Sequence, residues 1–316
     1  MRNFEKVARI LFFLILCLIG AIAVSGQTEA KDSEVWQPQG DAQQIPIWPH
    51  GAPDMEGISL PPESLKPGTQ TILNVTDPTI TVYSPKGENK GVAIIVFPGG
   101  GFRVLAMDLE GTEICDWITS NGITCILLKY RVPGSDDYWN KECKCRITPK
   151  IRRALQDAQR TVRLVRANAQ SLKIDPHKIG VIGFSSGGFL VAETSNILKP
   201  NYALVDEADK LSSRPDFAVA AFPGHMCFDS GQPRVTNFKV TREAPPTFLV
   251  HARDDDTDNV CNSLVYADRL EKAGVPTEMH IFSKGGHAFA LRKPDLPIGQ
   301  WPDLVMTWLK KIGILS

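Results

Sequence analysis

Three short segments of the chain carry side chains suited to acyl transfer. Residues 178–193 read KIGVIGFSSGGFLVAE, with a Gly-x-Ser-x-Gly pattern centred on Ser185. A serine hydroxyl attacks poorly until a histidine takes its proton, and that histidine needs a carboxylate to fix its tautomer and stabilise its charge. Residues 253–259, RDDDTDN, supply the acids, and residues 284–289, KGGHAF, supply His287. Asp255 lies four residues beyond His251, which closes a strand, and that spacing suits the acid loop best. Asp254 and Asp256 stay open as alternatives, and Asp258 reads as a loop residue bonding backbone amides. Of the six histidines, His287 alone follows a Gly-Gly pair that allows close approach. His50, His177 and His225 read as turn residues, and His251 and His280 as strand ends.

Three fixed positions are a weak signal by themselves, so the weight rests on the elements around them. Lys178 to Ile182 is the β-branched run of a buried parallel strand, and Phe189 to Glu193 begins a helical pattern. Ser185 therefore stands on a sharp strand-to-helix turn. The positions two before and two after it must lack side chains, and the helix N-terminus offers backbone N–H groups to a developing oxyanion. A second apolar strand, Val92 to Phe97, runs into Pro98-Gly99-Gly100-Gly101-Phe102. Three consecutive glycines are costly in entropy unless backbone must approach something closely. The expected oxyanion donors are the N–H of Gly100 or Gly101 together with that of Ser186. Phe102, Trp139 and Phe189 are the candidate substrate contacts, Trp139 lying in a loop, residues 134–147, placed to wall a pocket.

Further strands are expected at Thr79 to Tyr83, as a half-exposed edge, and at Ile123 to Leu128, Phe217 to Phe222, Pro246 to His251 and Thr277 to Phe282. Helices are expected over Asp108 to Asn121, from Thr148-Pro149 onward, over Tyr266 to Gly274 and over Val305 to Ile312. This alternation implies one α/β domain with a mostly parallel central sheet flanked by helices. Arg152, Arg153, Arg160, Arg163 and Arg166 read as a solvated, carboxylate-pairing helix face, and Trp48 as a packing anchor.

Lysine plus arginine equals aspartate plus glutamate at 35 each, and no basic stripe points to nucleic acid. Residues 1–26 pair a positive start (Arg2, Lys6, Arg9) with an apolar run from Ile10 to Val24, the pattern of a secretory signal peptide cleaved before Gln27 or near Ala23. Export to a secreted or periplasmic location follows, with an uncleaved anchor as the alternative and no stable membrane insertion once the leader is removed. Residues 27–44 read as a flexible lead-in, and 45–316 as the folded domain. The six cysteines beyond the leader permit disulfides without revealing their pairing. Cys143-Lys144-Cys145 is too tight for a zinc knuckle, so neither a metal nor a cofactor is expected.

Residues 47–53 (IWPHGAP), 98–102 (PGGGF), 128–133 (LKYRVP), 183–188 (GFSSGG) and 285–289 (GGHAF) together resemble the α/β-hydrolase superfamily. Within it the chain is similar to secreted bacterial carbohydrate esterases of the acetylxylan and feruloyl esterase-like group, often labelled xylanases or lipase-like esterases. The resemblance implies a cofactor-free serine esterase acting on short acyl groups of polysaccharide or on small esters. Such an enzyme would use Ser185, His287 and Asp255. A general carboxylesterase or lipase-like enzyme is the alternative. A serine peptidase of this fold usually carries an added propeller or cap, for which the chain leaves no room. Two departures stand out: an elbow with Ser186 where the group usually has alanine and Phe189 where it often has histidine, and Asp258-Asn259 where its acid loop often continues to Val-Pro.

Overall fold

The computed structural model describes residues 35–133 and 151–316, together with the backbone of 139–140 and 145–146. The folded unit is built on an eight-stranded sheet. Its strands are β1 (Gln44–Pro46), β2 (Thr79–Tyr83), β3 (Ala93–Phe97), β4 (Thr124–Lys129), β5 (Ile179–Phe184), β6 (Phe217–Ala221), β7 (Thr247–Ala252) and β8 (Thr277–Phe282). They lie in the order β1-β2-β4-β3-β5-β6-β7-β8. The first two pairings are antiparallel and the rest parallel. Strands β3 to β7 are buried along their whole length, as a parallel sheet covered on both faces requires.

The helices are α1 (Glu113–Ser120), α2 (Arg152–Ala167), α3 (Ser186–Asn196), α4 (Cys261–Lys272) and α5 (Trp301–Lys311). A π-helical turn, Asp108–Thr112, leads into α1 and buries Glu110 and Gly111. The expected alternation holds, while α4 and α5 each begin earlier than their apolar periodicity suggests. The start expected at Thr148-Pro149 lies outside the described residues, and α2 is described from Arg152.

Three expectations are corrected. Thr79–Tyr83 is not the sheet edge, because Gln44–Pro46 pairs along its outer side. The described part of the lead-in is anchored at one residue: Trp36 is only 2% exposed, and its carbonyl accepts from Gln44 Nε2. An indole gains too much from burial to stay in a free tail. On α2, Arg160 and Arg163 are buried. The segment after α3 folds over that face, where Arg160 pairs with Asp206 and Asp209, and Arg163 donates to the Leu211 carbonyl and the Tyr202 hydroxyl. Trp48 is the anchor expected, donating to buried Asp157 at 2.8 Å.

Candidate active site

Parallel pairing brings the C-terminal ends of β3, β5, β6, β7 and β8 to one edge of the sheet, where open α/β sheets place their sites. Register sets the level: Gly183 is paired with Phe97, Phe184 with Ala221, and Ala221 with Val250. The glycine loop, the serine turn, Pro223-Gly224, the acid loop and the histidine loop all leave the sheet there.

Ser185 follows β5 with φ 52° and ψ −120°, a backbone region costly for any side chain and held here by its surroundings. A Cβ on Gly183 would stand 2.2 Å from the Gly187 carbonyl oxygen, and one on Gly187 would stand 2.1 Å from that of Phe97. Both glycines are therefore demanded by close backbone approach. Gly99 also approaches the nucleophile, since a Cβ there would lie 3.0 Å from that of Ser185.

The Ser185 hydroxyl lies 3.0 Å from His287 Nε2, and His287 Nδ1 lies 2.8 Å from Asp255 Oδ2. A carboxylate only accepts, so Nδ1 carries the proton and Nε2 is left to accept from the serine. The Phe222 ring meets His287 nearly edge-on at 5.0 Å, fixing the imidazole from the side. Asp255 is the aspartate that the fold brings to His287 Nδ1. Exposed Asp254 instead accepts the Gly286 N–H at 2.9 Å and braces the histidine loop, and Asp256 is exposed.

Asp255 is also approached from the other side. His251 Nε2 stands 3.2 Å from Asp255 Oδ2 and 2.9 Å from the Asp258 carbonyl, while its Nδ1 faces the Ser263 hydroxyl at 2.8 Å. Both neighbours of Nε2 are acceptors, so Nε2 donates and Nδ1 accepts. The strand-end reading of His251 missed this role; the spacing to Asp255 was its one visible trace. Burial opposes charge on Asp255, but hydrogen bonds from His251 and His287 outweigh it and hold the carboxyl well below its usual range. Burial likewise pulls the His287 pKa down, and the Asp255 hydrogen bond and charge, with Asp258 and Glu110 behind them, raise it overall.

The glycine loop is fastened from three directions. Gly99 N–H donates to buried Glu110 at 2.7 Å, Gly101 N–H donates to Ser186 Oγ at 2.9 Å, and the Tyr130 hydroxyl donates to the Pro98 carbonyl at 2.6 Å. The Gly101 donor is thereby engaged by the Ser186 side chain, which removes it from the expected oxyanion set. Among the described residues, the N–H groups of Gly100, at φ +131°, and of Ser186 remain available to a carbonyl oxygen. Glu110 was invisible in sequence, as one acid inside a helical pattern.

Phe102 and Phe189, expected to touch substrate, are 1% and 0% exposed and pack on each other and on His225. They form the packing beneath the site rather than its wall, because large apolar rings gain most by full burial. Trp139 has only its backbone described, paired opposite Arg146, and its side chain lies outside the described residues.

Asp258 does not bond only backbone amides, as expected of it. Its Oδ2 lies 3.4 Å from the Ser185 hydroxyl and 3.9 Å from His287 Nε2.

Comparison with known proteins agrees with this architecture. Residues 80–221 match the BD-FAE family and residues 230–313 match the prolyl oligopeptidase family. The structure of an acetyl ester-xyloside bifunctional hydrolase from Caldicellulosiruptor lactoaceticus is 31% identical, with 87% of this chain and 97% of that one covered at a TM-score of 0.67. This chain belongs to the α/β-hydrolase superfamily. An acetylxylan esterase of Xylanibacter ruminicola is 27% identical over 236 residues, 70% of this chain and 46% of its own length. The chain spans less than half the length of the curated relatives it matches. A carboxylesterase of Lactobacillus plantarum, 20% identical at a TM-score of 0.59 over 82% of this chain and 99% of its own, shares the fold.

Proposed function

We propose that the protein is a serine esterase that removes short acyl groups, acetyl foremost, from plant-type polysaccharide. One observation carries this reading: the unbroken hydrogen-bonded series Ser185, His287, Asp255 at 3.0 and 2.8 Å. His287 takes the Ser185 proton as Oγ attacks the ester carbonyl, and Asp255 steadies the imidazolium. The N–H groups of Gly100 and Ser186 receive the negative charge on the carbonyl oxygen. His287 then protonates the leaving alcohol, and water, activated by the same histidine, releases the acid from the acyl-enzyme. The acetyl preference and the polysaccharide draw support from the names of the similar proteins and from the sequence resemblance. The leader, residues 1–26, is proposed to export the enzyme to such substrates.

The test compares p-nitrophenyl acetate, butyrate and octanoate, together with acetate and ferulate release from native polysaccharides. Turnover is expected to fall from acetate to octanoate, with acetate released from xylan. A rate highest on octanoate and no release from any polysaccharide would favour a general lipase-like esterase. The prolyl oligopeptidase match favours one second reading, peptide cleavage; turnover of a prolyl p-nitroanilide in preference to the acetate ester would establish it.

A further inference from the structure

The acid that the triad does not use lies closest to the reacting atoms. Asp255 already holds His287 Nδ1, yet a second carboxylate, Asp258, sits 3.4 Å from the Ser185 hydroxyl and 3.9 Å from His287 Nε2. Its position is built. The Asp258 N–H donates to Asp255 Oδ1 at 2.8 Å and its carbonyl accepts from His251, so the backbone is clamped at both ends. Room for the side chain comes from Gly224, where a Cβ would stand 2.6 Å from Asp258 Oδ1. Any other residue at 224 would displace the carboxylate. Only 8% of the Asp258 side chain is open.

The site's chemistry tells what such a group meets. During acylation the leaving oxygen is joined to the carbon that Ser185 Oγ attacks, and it must come within hydrogen-bond reach of His287 Nε2 to be protonated. Asp258 Oδ2 is adjacent to both of those atoms. A substituent on the carbon adjacent to the one that bears the leaving oxygen therefore comes beside the carboxylate. A carboxylate accepts at several lone-pair positions and donates at none when ionised, so a hydroxyl is the neighbour it rewards and another carboxylate the one it repels.

We infer that Asp258 is a specificity-determining residue that accepts a hydrogen bond from the hydroxyl vicinal to the scissile ester, selecting monoesters of vicinal diols over simple alkyl esters. This rests on the esterase reading and adds to it which part of the alcohol is recognised. The bond matters most as the leaving oxygen gains charge, so its effect falls on kcat/KM.

The experiment uses two acetates that differ by one group, cyclohexyl acetate and trans-1,2-cyclohexanediol monoacetate. The measured quantity is the ratio of kcat/KM for the diol ester to that for the cyclohexyl ester. A ratio within one preparation does not depend on the fraction of folded enzyme. The wild type should favour the diol ester by roughly tenfold, the scale of one hydrogen bond to a charged group. Asp258→Val should lower the ratio at least fivefold, and Asp258→Asn, which keeps a neutral acceptor, should fall between them. A wild-type ratio near one, or a smaller fall in Asp258→Val, overturns the assignment. The esterase reading is tested separately: loss of cyclohexyl acetate turnover in Ser185→Ala supports it whatever the ratio does. Wild-type enzyme inert toward both esters would sink both ideas together.

Discussion

At the scale of single residues, two carboxylates, Asp255 and Asp258, stand near one imidazole. In the proposed mechanism His287 must be neutral to take the serine proton, and its pKa is raised above the ordinary value of 6.5. The rate should therefore climb with pH and reach half its plateau above 6.5. Because the Asp258 charge contributes to that rise, Asp258→Asn should move the midpoint of kcat/KM to lower pH, read on p-nitrophenyl acetate. An unmoved midpoint would show that the charge is not felt at the base. Asp255→Asn should also lower the midpoint, while cutting turnover by about 10⁴ through loss of the correct tautomer. Asp254→Asn and Asp256→Asn should leave turnover within a few-fold, since neither side chain reaches His287.

At the scale of elements, the turn before α1 governs the glycine loop. Glu110 accepts the Gly99 N–H, and burial pushes its carboxyl up to about 7 from an ordinary 4.5. A raised pKa in the folded state means stability that is full below 4.5 and lost as pH rises toward 7. Relative to Glu110→Gln, which keeps the acceptor but cannot ionise, the wild type should lose about 2–3 kcal/mol between pH 5 and pH 8. Denaturant unfolding at those two values measures it, and parallel slopes for the two proteins would contradict it. The strand-to-helix turns at Ser185 and the glycine loop were legible because glycine spacing records close backbone approach directly. Glu110, His251 and Asp258 were not. Glu110 matters through the Gly99 N–H it accepts and Asp258 through the distant Ser185 and His287 side chains it faces, which no local pattern encodes, and His251 left only its spacing to Asp255 as a trace. Phe102 and Phe189 failed for the opposite reason: an aromatic next to a functional turn reads the same whether it lines a pocket or fills the layer beneath.

At the scale of the whole molecule, a mostly parallel sheet flanked by helices, with the site loops at one edge, followed from the alternation of apolar runs and helical patterns, whereas the strand order is set by pairings no local pattern records. The cysteine pairing did not, because sequence holds no record of which thiols meet. Cys115 is bonded to Cys125, and Cys227 to Cys261 across a separation of 34 residues. The second bond ties the loop after β6 to the first residue of α4, just past the acid loop, where Asn262 Oδ1 also accepts from Met226 and Cys227 N–H. Closing that loop constrains the unfolded chain by about 3–4 kcal/mol in the entropic view. A Cys227→Ala/Cys261→Ala double variant should melt several degrees lower, and an unchanged melting temperature would show that the bond adds nothing. Every step proposed for the molecule passes through one oxygen, and its reactivity can be read directly. After reaction with a fluorophosphonate, intact mass and peptide mapping should find a single adduct on Ser185, absent in Ser185→Ala and formed far more slowly in His287→Ala. An adduct on another residue, or equal labelling of wild type and Ser185→Ala, would contradict the assignment of Ser185 as the nucleophile.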